Sequence, residues 1–286
     1  MKEFDSQNIA VYALSYDEAD ALRDFRDAHD ISYTLLSDPQ SDVIKTFGIL
    51  NTLIDADDHP WYGIPYPGTY VVSADGDITH KFFDNNLAVR AGPEQLLNAV
   101  LGGAAIGHSE PAAAHSEPDL VQDVEVSVQL AGPSLTPTVQ RDLVALFRVP
   151  DGSHVYASPA PQGSIAVDVI LDPCEGLVQR PTIRPQAQSH KLAGTDEVFD
   201  VHHHIFELRI PLTVNSAARG EVTLSGQVVW QACDDEVCGI PVRQRFEVIV
   251  PVSASPHFAL GSKDSKGLEP NAMTHFMKMS QRRKKD

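Results

Sequence analysis

Cysteine is scarce. The 286 residues hold three, at positions 174, 233 and 238, and residues 1–103 hold none. Three thiols cannot build the disulfide framework of a small secreted domain, so any bridge here points to a local, functional role. Basic residues are also few, with 22 Lys and Arg against 39 Asp and Glu and a formal charge of -17. A field of that sign repels phosphates and anionic headgroups, which argues against nucleic acid and membrane surfaces as partners. No run of about 18 or more apolar residues is present to span a bilayer. The opening Met-Lys-Glu-Phe-Asp leads into no apolar signal segment, so a cytoplasmic location is expected as the sequence stands, and a periplasmic one if an upstream segment is missing. Absent too are a Gly-rich phosphate loop, a zinc-protease helix motif and a serine-nucleophile elbow, which leaves nucleotide and hydrolase chemistry without support. No cofactor and no metal is expected.

What remains is ordinary globular material, 42% hydrophobic and 21% charged, in a chain long enough for two cores. Asn8 to Tyr16 is nearly continuous apolar sequence, the pattern of a strand buried on both faces of a parallel sheet. Asp17 to His29 reads as its crossover helix, capped by Asp17 or Ser15, with Ala21, Leu22, Phe25 and Ala28 as the apolar stripe. Ser32 to Leu36 is a second strand, and Asp38-Pro39 opens a second helix ending at Gly48. A proline-rich aromatic loop, Asn51 to Pro67, carries Trp61, Tyr62 and Tyr66. Strands at Thr69 to Ser73 and Ile78 to Phe83 join around Asp75-Gly76, a hairpin signal, and a helix from Pro93 to Leu101 closes the unit.

Residues 103–119 shift to Gly, Ala, His, Ser, Glu and Pro, with His-Ser-Glu-Pro occurring twice, and read as a linker. From 120 to 254 the pattern becomes short alternating strands parted by proline and glycine turns, with no amphipathic helix among them. An immunoglobulin-like β-sandwich fits that pattern. Residues 255–286 end in Arg282-Arg283-Lys284-Lys285 and read as a disordered tail.

Cys233 and Cys238 sit in Trp-Gln-Ala-Cys-Asp-Asp-Glu-Val-Cys-Gly-Ile-Pro, between the period-two stretches Glu221 to Gln231 and Val242 to Val250. Five residues apart, they share a face of neither a helix nor a flat strand, so they belong to a turn at the mouth of a hairpin where their sulfurs can meet. A reversible disulfide is the first reading. Chain entropy gives so short a loop only about 2 kcal/mol, a weak motive for a purely structural staple. Three carboxylates between the thiols, Asp234, Asp235 and Glu236, disfavour the thiolate and suit the pair to a relay driven by a partner's own activated cysteine. A structural disulfide, two buried free thiols, and a zinc site joined by His202, His203 and His204 stay open as alternatives. Cys174 has no evident partner and reads as a small apolar filler.

Ala-Leu-Ser-Tyr-Asp (13 to 17), Leu-Leu-Ser-Asp-Pro (35 to 39), Phe-Gly-Ile-Leu-Asn (47 to 51) and Pro-Tyr-Pro-Gly-Thr-Tyr-Val-Val (65 to 72) resemble the peroxiredoxin family of the alkyl hydroperoxide reductase and thiol-specific antioxidant kind. The resemblance implies a thioredoxin-like α/β domain over residues 1–102, with Pro67 at the family's cis-proline position facing the redox centre. The family's peroxidatic cysteine lies on a helix before the strand that here begins at Asn8. No peroxidase activity of that type is therefore expected from the chain as it stands, and the domain reads as incomplete, lacking an upstream strand and helix. Gly-Ser-His-Val-Tyr-Ala (152 to 157), Phe-Glu-Leu-Arg-Ile-Pro-Leu (206 to 212) and Trp-Gln-Ala-Cys-Asp-Asp-Glu-Val-Cys (230 to 238) resemble the N-terminal periplasmic domain of the DsbD thiol:disulfide interchange proteins. That resemblance implies that Cys233 and Cys238 form a redox couple passing electrons between proteins. Pro67, Thr69 and Trp230, inside these motifs, are the candidate partner-binding residues. The expected partners are a thiol-disulfide protein and the peroxidatic segment of a complete peroxiredoxin domain. A non-catalytic interaction module with a structural disulfide is the alternative function.

Overall fold

Strand and helix alternate at the start of the chain, in a computed structural model that describes residues 1–54, 62–102, 124–191, 197–215, 218–234 and 237–254. The expected linker, the basic tail, Trp61, Asp235 and Glu236 lie outside the described residues. The described residues fall into two compact units: Met1–Gly68 with Phe83–Leu87, and Thr69–Phe82 with the described part of Ala88–Ser255. Among them no helix is long and apolar enough to cross a membrane.

The first unit runs α1 (Lys2–Ser6), β1 (Tyr12–Ser15), α2 (Ala19–Ala28), β2 (Thr34–Ser37) and α3 (Asp42–Thr46). Strands β1 and β2 pair in parallel, with Leu14 opposite Leu36, so α2 is the expected crossover. The expected stripe of α2 (Ala21, Leu22, Phe25, Ala28) is half-buried, while its N-cap is Glu18 with no side-chain cap, in place of Asp17 or Ser15. Burial of the first strand on both faces is not found: Tyr12 is 63% exposed, because the described sheet here stops at two strands. Asp38 holds the start of α3, its two carboxylate oxygens accepting the backbone N–H groups of Asp42 and Ile44 at 2.9 Å each. Ile44 and Tyr16 form the small core, covered by Leu14, Ile49, Leu50 and Ile64.

After the paired strands β3 (Gly68–Val72) and β4 (Ile78–Phe83) come β5 (Arg90–Ala91) and α4 (Pro93–Leu101). The hairpin signal at Asp75-Gly76 holds: Gly76 takes φ +92°, and Ser73 N–H donates to the Asp77 carbonyl. The chain continues as strands, namely β6 (Glu125–Leu130), β7 (Val139–Arg148), β8 (His154–Tyr156), β9 (Asp168–Leu171), β10 (Leu177–Gln179), β11 (Gln188–Lys191), β12 (Val198–His202), β13 (Ile205–Val214), β14 (Glu221–Trp230), β15 (Ala232–Cys233) and β16 (Val242–Pro251). They form three sheets: β10-β13-β7 with β6 and β5 on β7, β11-β12-β8-β15, and β16-β14-β9.

Period-two alternation builds the core these sheets share. Leu143, Ala145 and Phe147 of β7 pair with Ile210, Leu208 and Phe206 of β13, and their inward row meets Leu224, Val228 and Trp230 of β14 and Phe246 and Val250 of β16. Gly226 stands in the inward row of β14 opposite Phe246, where a Cβ would strike the Ile170 carbonyl oxygen and the Phe246 ring.

Helix α4, expected to close the first domain, belongs to the second unit. Strand β5 runs parallel to β7, with Arg90 opposite Val139, and Gly92 N–H donates to the Gln140 carbonyl at 2.9 Å, too close for a Cβ. The helix then lays its polar side on the sheet. Gln95 donates to the Asp142 carboxylate at 2.7 Å, Arg209 donates to Asn98 at 2.9 Å, and Arg141 pairs with Glu94.

Candidate functional site

Trp230 ends β14 opposite Val242, the first residue of β16, so the expected hairpin flanks the segment that carries the cysteines. Between these strands the chain leaves one sheet, adds β15 to the edge of another beside β8, and returns. Cys233 and Cys238 are joined by a disulfide across this excursion, with Cα atoms 4.1 Å apart. Backbone bonds close the loop: Asp234 N–H donates to the Val237 carbonyl at 3.0 Å, and Gly239 N–H to the Ala232 carbonyl at 2.8 Å. The Asp234 carboxylate accepts from Val237 N–H at 2.6 Å, so this acid is engaged in shaping the turn.

Two residues not singled out from the sequence hold the loop. Buried Gln231 accepts from Ile165 N–H and donates to the Gly239 carbonyl, each at 3.0 Å, clamping the loop's far end to its near one. Tyr156, also buried, places its hydroxyl 3.4 Å from Cys238 Sγ. A glutamine before a cysteine and a tyrosine in a strand carry no distinctive local pattern; only the pairing of β15 with β8 brings them here.

The two sulfurs differ in access. Cys233 is 0% exposed in a small cluster with Tyr156 and Val201, whereas Cys238 is an exposed residue. Beside Cys238 stand two apolar side chains open to solvent, Val237 at 58% and Ile240 at 81% exposed. A nucleophile from outside therefore meets Cys238 first.

Trp230 is 4% exposed and sits edge-on to Phe147, so its ring serves the core beneath the loop. Thr69 is half-buried at the start of the β3–β4 pair and takes no part in the bonds that hold the disulfide loop. Pro67 is half-buried in the first unit. The cis peptide among the described residues is Ser158–Pro159, so the Tyr66–Pro67 bond is trans, against expectation; trans is the intrinsic preference of such bonds and this environment leaves it standing. Nearby, Tyr66 meets Thr52 through their hydroxyls at 3.0 Å. Cys174 is a half-exposed free thiol, not the buried filler expected.

The three histidines considered as metal ligands part company. His202 is buried and stacks on Phe206 at 4.6 Å; burial, aided by the Arg184 and His203 charges, holds its imidazole below the ordinary value. His203 Nδ1 lies 3.1 Å from the Ser153 carbonyl, and exposed His204 lies 3.3 Å from Asp151. Among the described residues no three His, Cys, Asp or Glu side chains are placed to hold a metal ion.

Residues 1–81 match the AhpC/TSA family. A thioredoxin-like domain thus opens the chain, and the remainder is rich in strands. No curated protein matches the chain. Among solved structures, it is similar to the reduced N-terminal domain of Neisseria meningitidis DsbD at 16% identity and TM-score 0.31, covering 44% of this chain and 85% of that one. It is similar to the N-terminal periplasmic domain of ScsB from Proteus mirabilis at 11% identity and TM-score 0.34, covering 59% of this chain and 58% of that one. A third likeness, at 13% identity and TM-score 0.26, is to the Bacillus cereus major pilin subunit BcpA, covering 67% of this chain and 49% of that one. At these scores the likenesses are weak, and the chemistry of the site comes from the disulfide loop itself.

Proposed function

We propose that the chain is a thiol–disulfide oxidoreductase whose Cys233–Cys238 couple relays electrons between proteins. The observation that carries this reading is the unequal access of two bonded sulfurs on a short loop: Cys238 exposed, Cys233 buried. A partner's thiolate attacks Cys238 Sγ in line with the bond, the Cys233–Cys238 bond breaks, and its electron pair leaves on Cys233. A second partner thiol resolves the mixed disulfide, leaving two thiols here and one disulfide on the partner. In the opposite direction the reduced pair donates two electrons and two protons to an oxidised partner. The Tyr156 hydroxyl, 3.4 Å from Cys238 Sγ, stabilises a thiolate at Cys238 by hydrogen bonding.

In its fuller form the reading makes residues 120–254 an immunoglobulin-like, DsbD-like sandwich. It is joined through residues 103–119 to a peroxiredoxin-like domain. The electron acceptor is then a thiol-disulfide protein, or the peroxidatic segment of a complete peroxiredoxin domain tethered close enough to profit from high effective concentration. The test is a redox titration of the full chain against glutathione, read by thiol alkylation and mass spectrometry. A couple that cycles within the glutathione range supports the relay. A potential below about -300 mV marks a structural staple, and the non-catalytic interaction module takes its place.

A further inference from the structure

Breaking the Cys233–Cys238 bond by attack on exposed Cys238 puts a negative charge on a sulfur that is 0% exposed. Water does not reach that atom to protonate it, and a bare thiolate in an apolar cluster with Tyr156 and Val201 is costly. Exchange slows when the leaving thiol holds its proton tightly, so a proton donor beside Cys233 is worth much to the rate.

The residue directly opposite Cys233 in the β15–β8 ladder is His154. Side chains so paired rise from one face of the sheet with Cβ atoms about 4.5–5.5 Å apart. His154 is itself buried, yet it does not stand alone. Its ring centroid lies 4.5 Å from that of His190 on β11 and 5.8 Å from that of His203, and the latter two are also 5.8 Å apart. His203 in turn lies 6.1 Å from His204, whose side chain is 73% exposed. Four imidazoles thus lead from solvent to the strand position facing the buried sulfur. Among the described residues no three His, Cys, Asp or Glu side chains are placed to hold a metal ion.

We propose that His154 is the proton donor to Cys233 in disulfide reduction, resupplied from solvent through His190, His203 and His204. This rests on the relay reading of the same loop. In the step, a thiolate forms its bond to Cys238 Sγ, the electron pair of the old bond goes to Cys233 Sγ, and a proton passes from the His154 imidazolium to that sulfur. The products are a mixed disulfide at Cys238, a neutral Cys233 thiol and a neutral imidazole, which regains its proton from solvent. The other titratable and charged groups near His154 are distinguishable. Tyr156 is edge-on to its ring at 5.7 Å and bonds Cys238. Asp234 shapes the turn, and Asp151 accompanies His204. By strand alternation Asp200, His202 and Lys191 lie on the other face of this sheet.

The experiment uses the oxidised full chain and dithiothreitol, with rate constants divided by the thiolate concentration at each pH. That correction removes the reductant's own titration. The expected wild-type constant falls about tenfold or more between pH 5.5 and 8, the range in which imidazoles lose their protons. His154→Gln is slow and flat across that range, while Tyr156→Phe keeps the slope. A wild-type solvent isotope ratio of about 2 at pH 6 reports the transferred proton without any substitution, so a misfolded variant does not rescue the idea. A flat wild-type profile, an unchanged slope in folded His154→Gln, or an isotope ratio of one overturns the proposal while leaving the relay intact. A disulfide that dithiothreitol fails to reduce at any pH overturns both.

Discussion

Reducing the Cys233–Cys238 bond should weaken the strand-rich unit only mildly, and the two cysteines should not be equivalent when replaced one at a time. The closed loop spans five positions, for which the chain-entropy relation gives about 2 kcal/mol. Domains of this kind are stable by about 5–15 kcal/mol, so the reduced protein keeps its fold and the couple can cycle without unfolding. Cys238→Ser, at an exposed position, should cost the loop term alone, about 2 kcal/mol. Cys233→Ser should cost more than that, by up to about 3 kcal/mol, because it sets a buried hydroxyl among Tyr156, Val201 and Phe199 and opposite His154. Urea unfolding followed by the fluorescence of buried Trp230, in a Trp61→Phe background, with and without dithiothreitol, measures all three. A loss above about 4 kcal/mol on reduction, or equal losses in the two serine variants, would refute the reasoning and make the bridge a staple.

In a thiol-trapping assay with a monothiol, Cys233→Ser should accumulate a mixed disulfide at Cys238 that mass spectrometry detects, whereas Cys238→Ser should trap little because its remaining sulfur is buried. Tyr156→Phe should slow attack by the reduced Cys238 on a small disulfide such as dithionitrobenzoate about two- to threefold, because a hydrogen bond of about 1 kcal/mol that holds more thiolate also makes it a weaker nucleophile, and an unchanged rate refutes the contact. His202 resists protonation in the fold, chiefly through burial and then through Arg184 and His203, so the unfolded chain binds more protons at low pH. Its contribution to stability is therefore complete above the ordinary imidazole value and declines as pH drops below about 6.5. His202→Phe, which preserves the stack on Phe206, should flatten the decline in urea midpoint between pH 7 and 5; an unaltered decline refutes the assignment.

Much of the strand architecture was legible because period-two alternation and burial are the same fact seen twice. The stretch Phe206 to Leu212 announced an inward row, and Phe206, Leu208, Ile210 and Leu212 fill one. Asp75-Gly76 announced a turn through the left-handed backbone that Gly76 adopts. The cysteine loop was legible as well, since two thiols five positions apart between two alternating strands leave a turn as the place for both. What the chain did not disclose locally was depth. Nothing in Cys-Asp-Asp-Glu-Val-Cys says that the first sulfur is sealed and the second open. That difference is set by β15 joining β8, which buries Cys233 on Tyr156 and leaves Cys238 beyond the strand's end.

The same distinction between local pattern and tertiary pairing explains helix α4. Pro93 to Leu101 reads as a helix closing an α/β unit, and the polar side of a surface helix ordinarily faces water. Instead Glu94, Gln95 and Asn98 meet Arg141, Asp142 and Arg209 on β7 and β13. Burial pushes the Asp142 carboxyl above its ordinary value, against the pull of Gln95 and Arg209, so the network is held together under a desolvation penalty. Charged residues at Arg141, Asp142 and Arg209 break the alternation of two otherwise apolar strands, and that break was the available signal. An arginine and an aspartate at the core edge need partners, and the partners came from a helix more than forty residues upstream. Sequence periodicity finds which face is apolar; it finds no match between one polar face and another, because that match exists only after the strands have paired.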